Sequence, residues 1–150
     1  MTITFFGHSK IYNNAYLVDK IENTILQQIK KAEKITFYCG GYGDFDNICA
    51  RVCRSIKKRG VDCEILLIIP YLPESGRADM RCKIDEGIYD GSVYPPIEQV
   101  PKRLAILKRN EWMIDNSDVV VAFVKQDFGG AYKALEYARR RKKAIVNIAE

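Results

Sequence analysis

Two glycine-rich turns constrain the fold of this chain more than any other feature. Gly40-Gly41-Tyr42-Gly43-Asp44-Phe45-Asp46 and Asp127-Phe128-Gly129-Gly130 each follow an apolar, β-branched run and open a helical pattern. Glycine at a strand-to-helix turn permits positive φ and lets the backbone approach a ligand closely. The helix behind such a turn aims unpaired N–H groups and the positive end of its dipole at the gap, which favours phosphate or carboxylate. Two such turns imply one crevice suited to a nucleotide-like anion. Neither has the spacing of a Walker loop or of G-x-G-x-x-G, so the spacing leaves the ligand open.

Around the turns the chain alternates strand and helix patterns. Ile3-Thr4-Phe5-Phe6 reads as a strand ending at Gly7-His8, and 34–39 as a second strand feeding the first glycine turn. Between them, over about 14–31, Leu17, Ile21, Ile25 and Ile29 recur at helical spacing. Residues 46–59 carry Ile48, Val52 and Ile56 on one stripe, with Gly60 as the stop. The run 64–69 is continuously apolar after Glu64, as in a buried parallel strand, and Pro70 ends it. Residues 72–96 form an irregular excursion with a short helix and an edge strand near Ser92-Val93-Tyr94, either a lid or a surface loop. Helix, strand, helix and strand then follow at about 103–116, 118–124, 131–141 and 144–148. This order predicts an α/β fold with a mostly parallel sheet and helices on both faces. Both glycine turns and Gly7-His8 fall at carboxyl ends of strands, where such sheets bind ligands.

With 150 residues and 47% hydrophobic content, 1–150 is expected to form one soluble domain with one core. The net charge of +5 comes largely from Lys57-Lys58-Arg59 and Arg139-Arg140-Arg141-Lys142-Lys143. Both clusters close predicted helices, where cations suit the dipole, so they read as solvated ends rather than a nucleic-acid patch. No apolar stretch reaches membrane-spanning length and the start lacks a signal peptide's organisation, so the expected compartment is the cytoplasm. Five cysteines, an odd count without C-x-x-C spacing, fit poorly with a closed disulfide framework, and Cys49 and Cys53, on one helix face, read as small core residues. His8 is the only histidine, which argues against a catalytic zinc site or a histidine-based triad.

Three segments together resemble the SLOG superfamily of Rossmann-like proteins, which includes the Lonely-guy phosphoribohydrolases and the DNA-processing protein A fold. Residues 40–46 resemble its G-G-A-x-G-x-D turn, with Asp46 in the acidic place. Arg109-Asn110-Glu111-Trp112-Met113 and the following Asn116-Ser117-Asp118 resemble the Lonely-guy R-K-x-x-M helix running into N-S-D. Gly129-Gly130-Ala131-Tyr132-Lys133-Ala134-Leu135-Glu136 keeps the spacing of P-G-G-x-G-T-x-x-E. Tyr132 and Lys133 stand where the Lonely-guy enzymes have Gly and Thr, and Asn110 replaces their Lys. The resemblance implies a single-domain Rossmann-like fold, a homodimer, and catalytic roles for the residues at Arg109 and Glu136.

The candidate ligand-binding residues are Gly7, His8, Gly40, Gly41, Tyr42, Gly43, Asp46, Arg109, Gly129, Gly130, Ala131, Tyr132 and Lys133. Arg109 reads either as a bidentate phosphate clamp or as the partner of Glu111 or Asp115. Glu136 reads as a ribose-facing carboxylate or as a complement to its helix dipole. Asp46 reads as a hydroxyl acceptor or a helix cap. Tyr42, Phe128 and Tyr132 suit base stacking or an interface, and Trp112 suits the core.

These residues lead to a first expectation of a sensor or sequestering protein for a nucleotide or nucleotide-derived small molecule, without cofactor or metal. The alternatives are a phosphoribohydrolase-like N-glycosidase and, ranked last, a nucleic-acid-binding module. No membrane partner is expected.

Overall fold

The computed structural model describes residues 1–12, 15–29, 33–72 and 87–149. Its elements in chain order are β1 (Thr2–Gly7), α1 (Leu17–Gln28), β2 (Ile35–Cys39), α2 (Gly43–Lys58), β3 (Cys63–Ile68) and β4 (Gly91–Val93). A 3-10 turn (Lys102–Leu104) then leads into α3 (Ala105–Asp115), followed by β5 (Val119–Phe123), α4 (Gly130–Arg140) and β6 (Ala144–Asn147). The strands form a six-stranded sheet in the order β4-β3-β2-β1-β5-β6. Every pairing is parallel, including that of the short edge strand β4 with β3. The expected α/β, Rossmann-like architecture is therefore present.

Alternation along the strands builds two cores. Ile3 and Phe5 of β1, Ile35 and Phe37 of β2, and Ile65 and Leu67 of β3 face one side, where Leu17, Ile21 and Ile25 of α1 and Phe45, Val52 and Ile56 of α2 cover them. Phe6, Ile68 and Val120 face the other side, against Met113 and Ile114 of α3 and Ala134 and Ala138 of α4. β5 is buried at all positions, which explains its unbroken apolar run. Cys39, Cys49, Cys53 and Cys63 are buried free thiols in the first core. Burial holds Cys49 and Cys53 well above the usual thiol range. Trp112 packs its ring against Tyr38 at 5.4 Å.

Several boundaries differ from the sequence reading. α1 is the shorter Leu17–Gln28, with Asn14 and Lys31 lying outside the described residues. α2 begins at Gly43 rather than Asp46, because Asp44 and Phe45 donate their N–H groups to the carbonyl oxygens of Ser9 and His8 at 2.8 and 3.4 Å. Most of the 72–96 excursion, residues 73–86, also lies outside the described residues, and with it the test of the short helix expected there. Among the described residues no helix is long and apolar enough to cross a membrane.

Strand order reverses direction at β1: β2 to β4 extend to one side, β5 and β6 to the other. A crevice therefore opens beyond the carboxyl ends of β1 and β5, between the loops that follow them.

Candidate nucleic-acid interface

The crevice is a cavity of about 540 Å³. β1 and its loop supply Gly7, His8, Lys10 and Tyr12; the first glycine turn supplies Gly40, Tyr42 and Asp46. α3 supplies Ile106, Arg109 and Asn110, and the loop into α4 supplies Gln126, Phe128, Gly129, Gly130 and Ala131. Four segments distant in sequence thus converge on one edge of the sheet. Gly41 and Gly43 belong to the first turn but do not line the cavity.

The two glycine turns do different work. At the first, Gly43 has φ +89°, and a Cβ there would meet Ser9 Cα at 2.6 Å. The turn is locked against the β1 loop, and its first helical N–H groups are spent on Ser9 and His8. Asp44 strengthens this lock by accepting the Ile11 N–H at 2.9 Å. At the second, Gly129 has φ 93° and ψ 177°, a conformation that only glycine adopts without strain. Among the described residues, the N–H groups of Gly130, Ala131 and Tyr132 meet no acceptor. Of the two glycine turns, the second is therefore the one that leaves an anion-favouring helix end open among the described residues.

Arg109 is 3% exposed. Its Nη1 donates to the carbonyl oxygens of Gly40 and Ile68, both at 2.8 Å, and its Nε to Asn110 Oδ1 at 2.9 Å. Burial lowers its pKa, while the charge of Asp46 works in the opposite direction. Its guanidinium lies 5.6 Å from the Tyr42 ring centroid. Neither sequence-based pairing occurs: Glu111 pairs with Lys108, and Asp115 with Arg141. Asp46 Oδ2 accepts the Tyr42 N–H at 3.1 Å, so it closes the turn from within the first turns of α2.

His8 Nε2 accepts the Lys125 N–H at 2.9 Å, tying the β1 loop to the β5 loop at the floor of the crevice. Burial, with the Lys125 charge second, lowers its pKa below 6.5 and favours the neutral ring that this bond requires.

Glu136 does not share the cavity with Arg109. With Tyr132 and Lys133 it lines a separate groove between α3 and α4, which also includes Leu107, Glu111 and Arg140. Glu136 is paired there with Arg139. Asn110 lines both cavities. Among the described residues no three acidic, cysteine or histidine groups assemble into a metal cluster.

Tyr12, Lys10 and Ile106 enter the crevice without having been singled out in the sequence. Tyr12 is 85% exposed, Phe128 65% and Ile106 41%, and all three line the cavity. Exposed large apolar groups from three separate segments at one rim form a patch of the kind that marks binding sites.

No protein-family model matches the sequence, and no curated protein does. Solved structures do match in fold. DNA processing protein A from Helicobacter pylori, described for its single-stranded DNA binding mode, matches with TM-score 0.59 and 14% identity over 97% of this chain. DNA processing protein A from Streptococcus pneumoniae matches with TM-score 0.61 and 13% identity over 96% of this chain. The chain spans 63% and 48% of those two proteins.

These neighbours correct two expectations. A free nucleotide-derived small molecule as the ligand, and nucleic acid as the least favoured partner, do not stand beside fold neighbours that process DNA, one of them described as binding single strands. The physical reason is that basic and aromatic residues do not form a ladder along the sequence. The fold assembles them instead, bringing Lys10 and Tyr12 to the same rim as Phe128.

Proposed function

We propose that the crevice binds single-stranded nucleic acid, DNA first among the candidates, within a SLOG-type domain related to DNA processing protein A. The observation that carries this reading is the rim: exposed Tyr12 and Phe128, with Lys10 beside them, over the open N-terminus of α4. Aromatic faces accept unstacked bases of any sequence, and each base–aromatic stack contributes about 1–3 kcal/mol. Backbone N–H groups at a helix N-terminus, aided by lysine, accept the phosphate between bases. A duplex hides its base faces and is the poorer ligand for such a rim. Arg109 supports the site from below by holding the first glycine turn to α3, and the His8–Lys125 bond holds its other wall.

The test is a direct comparison of ligands by fluorescence anisotropy. A labelled oligothymidylate is titrated with protein at low salt, and an unlabelled duplex and a nucleoside monophosphate are offered as competitors. Displacement by single strands at far lower concentration than by either competitor supports the reading. Equal competition by the monophosphate, or no binding of the single strand, sinks it.

A further inference from the structure

Beyond the crevice, α2 carries a second feature that this reading does not use. From Asn47 to Val61 the chain has no acidic residue and five basic ones: Arg51, Arg54, Lys57, Lys58 and Arg59. Three of them have carboxylate partners, two of the three sharing one. Arg54 and Lys57 both pair with Asp90, at 3.1 and 2.8 Å, and Arg59 pairs with Glu22. Burial alone would raise the Asp90 pKa, but hydrogen bonds from Lys57, the Ile65 N–H and Arg54 outweigh it and hold the carboxylate ionised. Arg54 also donates to the Ile88 carbonyl oxygen.

Arg51 and Lys58 are different. Both are exposed, and among the described residues neither makes an ion pair. They stand two helical turns apart on one face, with Ser55 between them. Together with Arg54, Gly87 and Ile88 they line a cavity of about 530 Å³ whose wall, among the described residues, has no carboxylate. Its polar groups are those of a phosphate site: two cations without a carboxylate partner among the described residues, a hydroxyl and a guanidinium held by Asp90.

The position of this groove gives it a use. α2 begins at the crevice, where Tyr42 and Asp46 line the wall, and its exposed positions Asp44, Asn47, Arg51, Ser55 and Lys58 run from that end toward the groove. At 1.5 Å per residue, Lys58 lies about 22 Å along the axis from Gly43. A stacked strand advances about 3.4 Å per nucleotide, so roughly seven nucleotides cover that span.

We propose that the Arg51–Lys58 groove is a second contact for the phosphate backbone of a single strand already engaged in the crevice. The proposal rests on the nucleic-acid reading of the crevice. It assigns the two sites different parts: the crevice takes bases through Tyr12 and Phe128, whereas the groove takes phosphates only and is indifferent to base identity. It predicts a dependence on ligand length that the crevice alone does not give.

The experiment titrates oligothymidylates of about four and about twelve nucleotides, within the usual range of single-strand site sizes, into wild type and the double variant Arg51→Ala/Lys58→Ala. The melting temperature of the variant serves as a check on its fold, and Arg51→Gln/Lys58→Gln is the fallback if it melts early. Expected is a gain in affinity from short to long ligand in wild type that the double variant loses, by about tenfold at low salt. The salt slope on the long ligand should fall by about 1.4, the value for two phosphate contacts to a single strand. Short-ligand affinity should not move. A length gain that persists in the double variant, or no gain in wild type, overturns the second contact while leaving the crevice reading intact. If neither oligonucleotide binds wild type, both readings fall together.

Discussion

The guanidinium of Arg109 donates to the carbonyl oxygen of Gly40 at 2.8 Å, joining α3 to the first glycine turn across the width of the sheet edge. The same nitrogen donates to Ile68 O, so one side chain satisfies the carbonyls that leave β2 and β3. Removing it leaves two buried acceptors without their partner, each costing about 1–3 kcal/mol. Arg109→Ala is therefore expected to lose about 2–4 kcal/mol of stability, read as a shift of the urea unfolding midpoint at constant slope. An Arg109→Ala protein as stable as wild type would show that the turn does not depend on this anchor.

The neighbouring glycines Gly129 and Gly130 should respond in opposite ways. Gly129 has φ 93°, and alanine there costs about 1–3 kcal/mol in backbone strain. Gly130 sits in the first turn of α4, and a Cβ at that position meets nothing within 4 Å. Gly130→Ala should be neutral or stabilise by up to about 1 kcal/mol, because alanine loses less backbone entropy in a helix. Thermal melts of the two variants separate these outcomes, and equal destabilisation would contradict the geometry.

His8 gives the site a defined pH response. Its folded pKa lies below the unfolded value near 6.5, so the unfolded chain binds the proton more readily. The contribution of His8 is complete above the unfolded value and is lost as pH falls through the lower folded value. The stability difference between wild type and His8→Gln should therefore shrink on acidification from neutral pH. Unfolding midpoints at pH 7.5 and 5 measure it; a difference that stays constant or grows would mean that the Nε2 bond to Lys125 does not govern the titration.

Glu136 offers a control on where the ligand sits. It faces the groove between α3 and α4 and pairs with Arg139 there, away from the rim formed by Tyr12 and Phe128. Glu136→Gln should bind single-stranded DNA within about twofold of wild type, and should melt within about 0.5 kcal/mol of it, as for an exposed pair. A large loss of affinity would move the interface to the other groove.

The fold was legible because the physics of a parallel sheet is local. The unbroken run in β5, the alternation in β2, and the glycines at both strand ends each carry their own signal. The first glycine turn misled in one respect. Its N–H groups look available in sequence, yet Ser9 and His8 occupy them, a contact between segments that no local pattern encodes. The site was partly legible for the same reason. Gly40, Asp46 and Gly129 announce themselves, whereas Lys10, Tyr12 and Ile106 gain meaning only when the strand order brings their loops together. Glu136 keeps a family-like spacing from Gly130, but the turn of α4 carries it into the neighbouring α3–α4 groove rather than the crevice.

The central claim is that bases of a single strand stack on Tyr12 and Phe128. The most direct measurement places 2-aminopurine, a base whose emission reports stacking, within an oligothymidylate and titrates it with wild type, Tyr12→Ala and Phe128→Ala. The account predicts a saturable change in emission with wild type, diminished in each variant together with an affinity loss of about tenfold or more, while melting temperatures hold. Binding that leaves the emission unchanged, or an emission change indifferent to both substitutions, would contradict it.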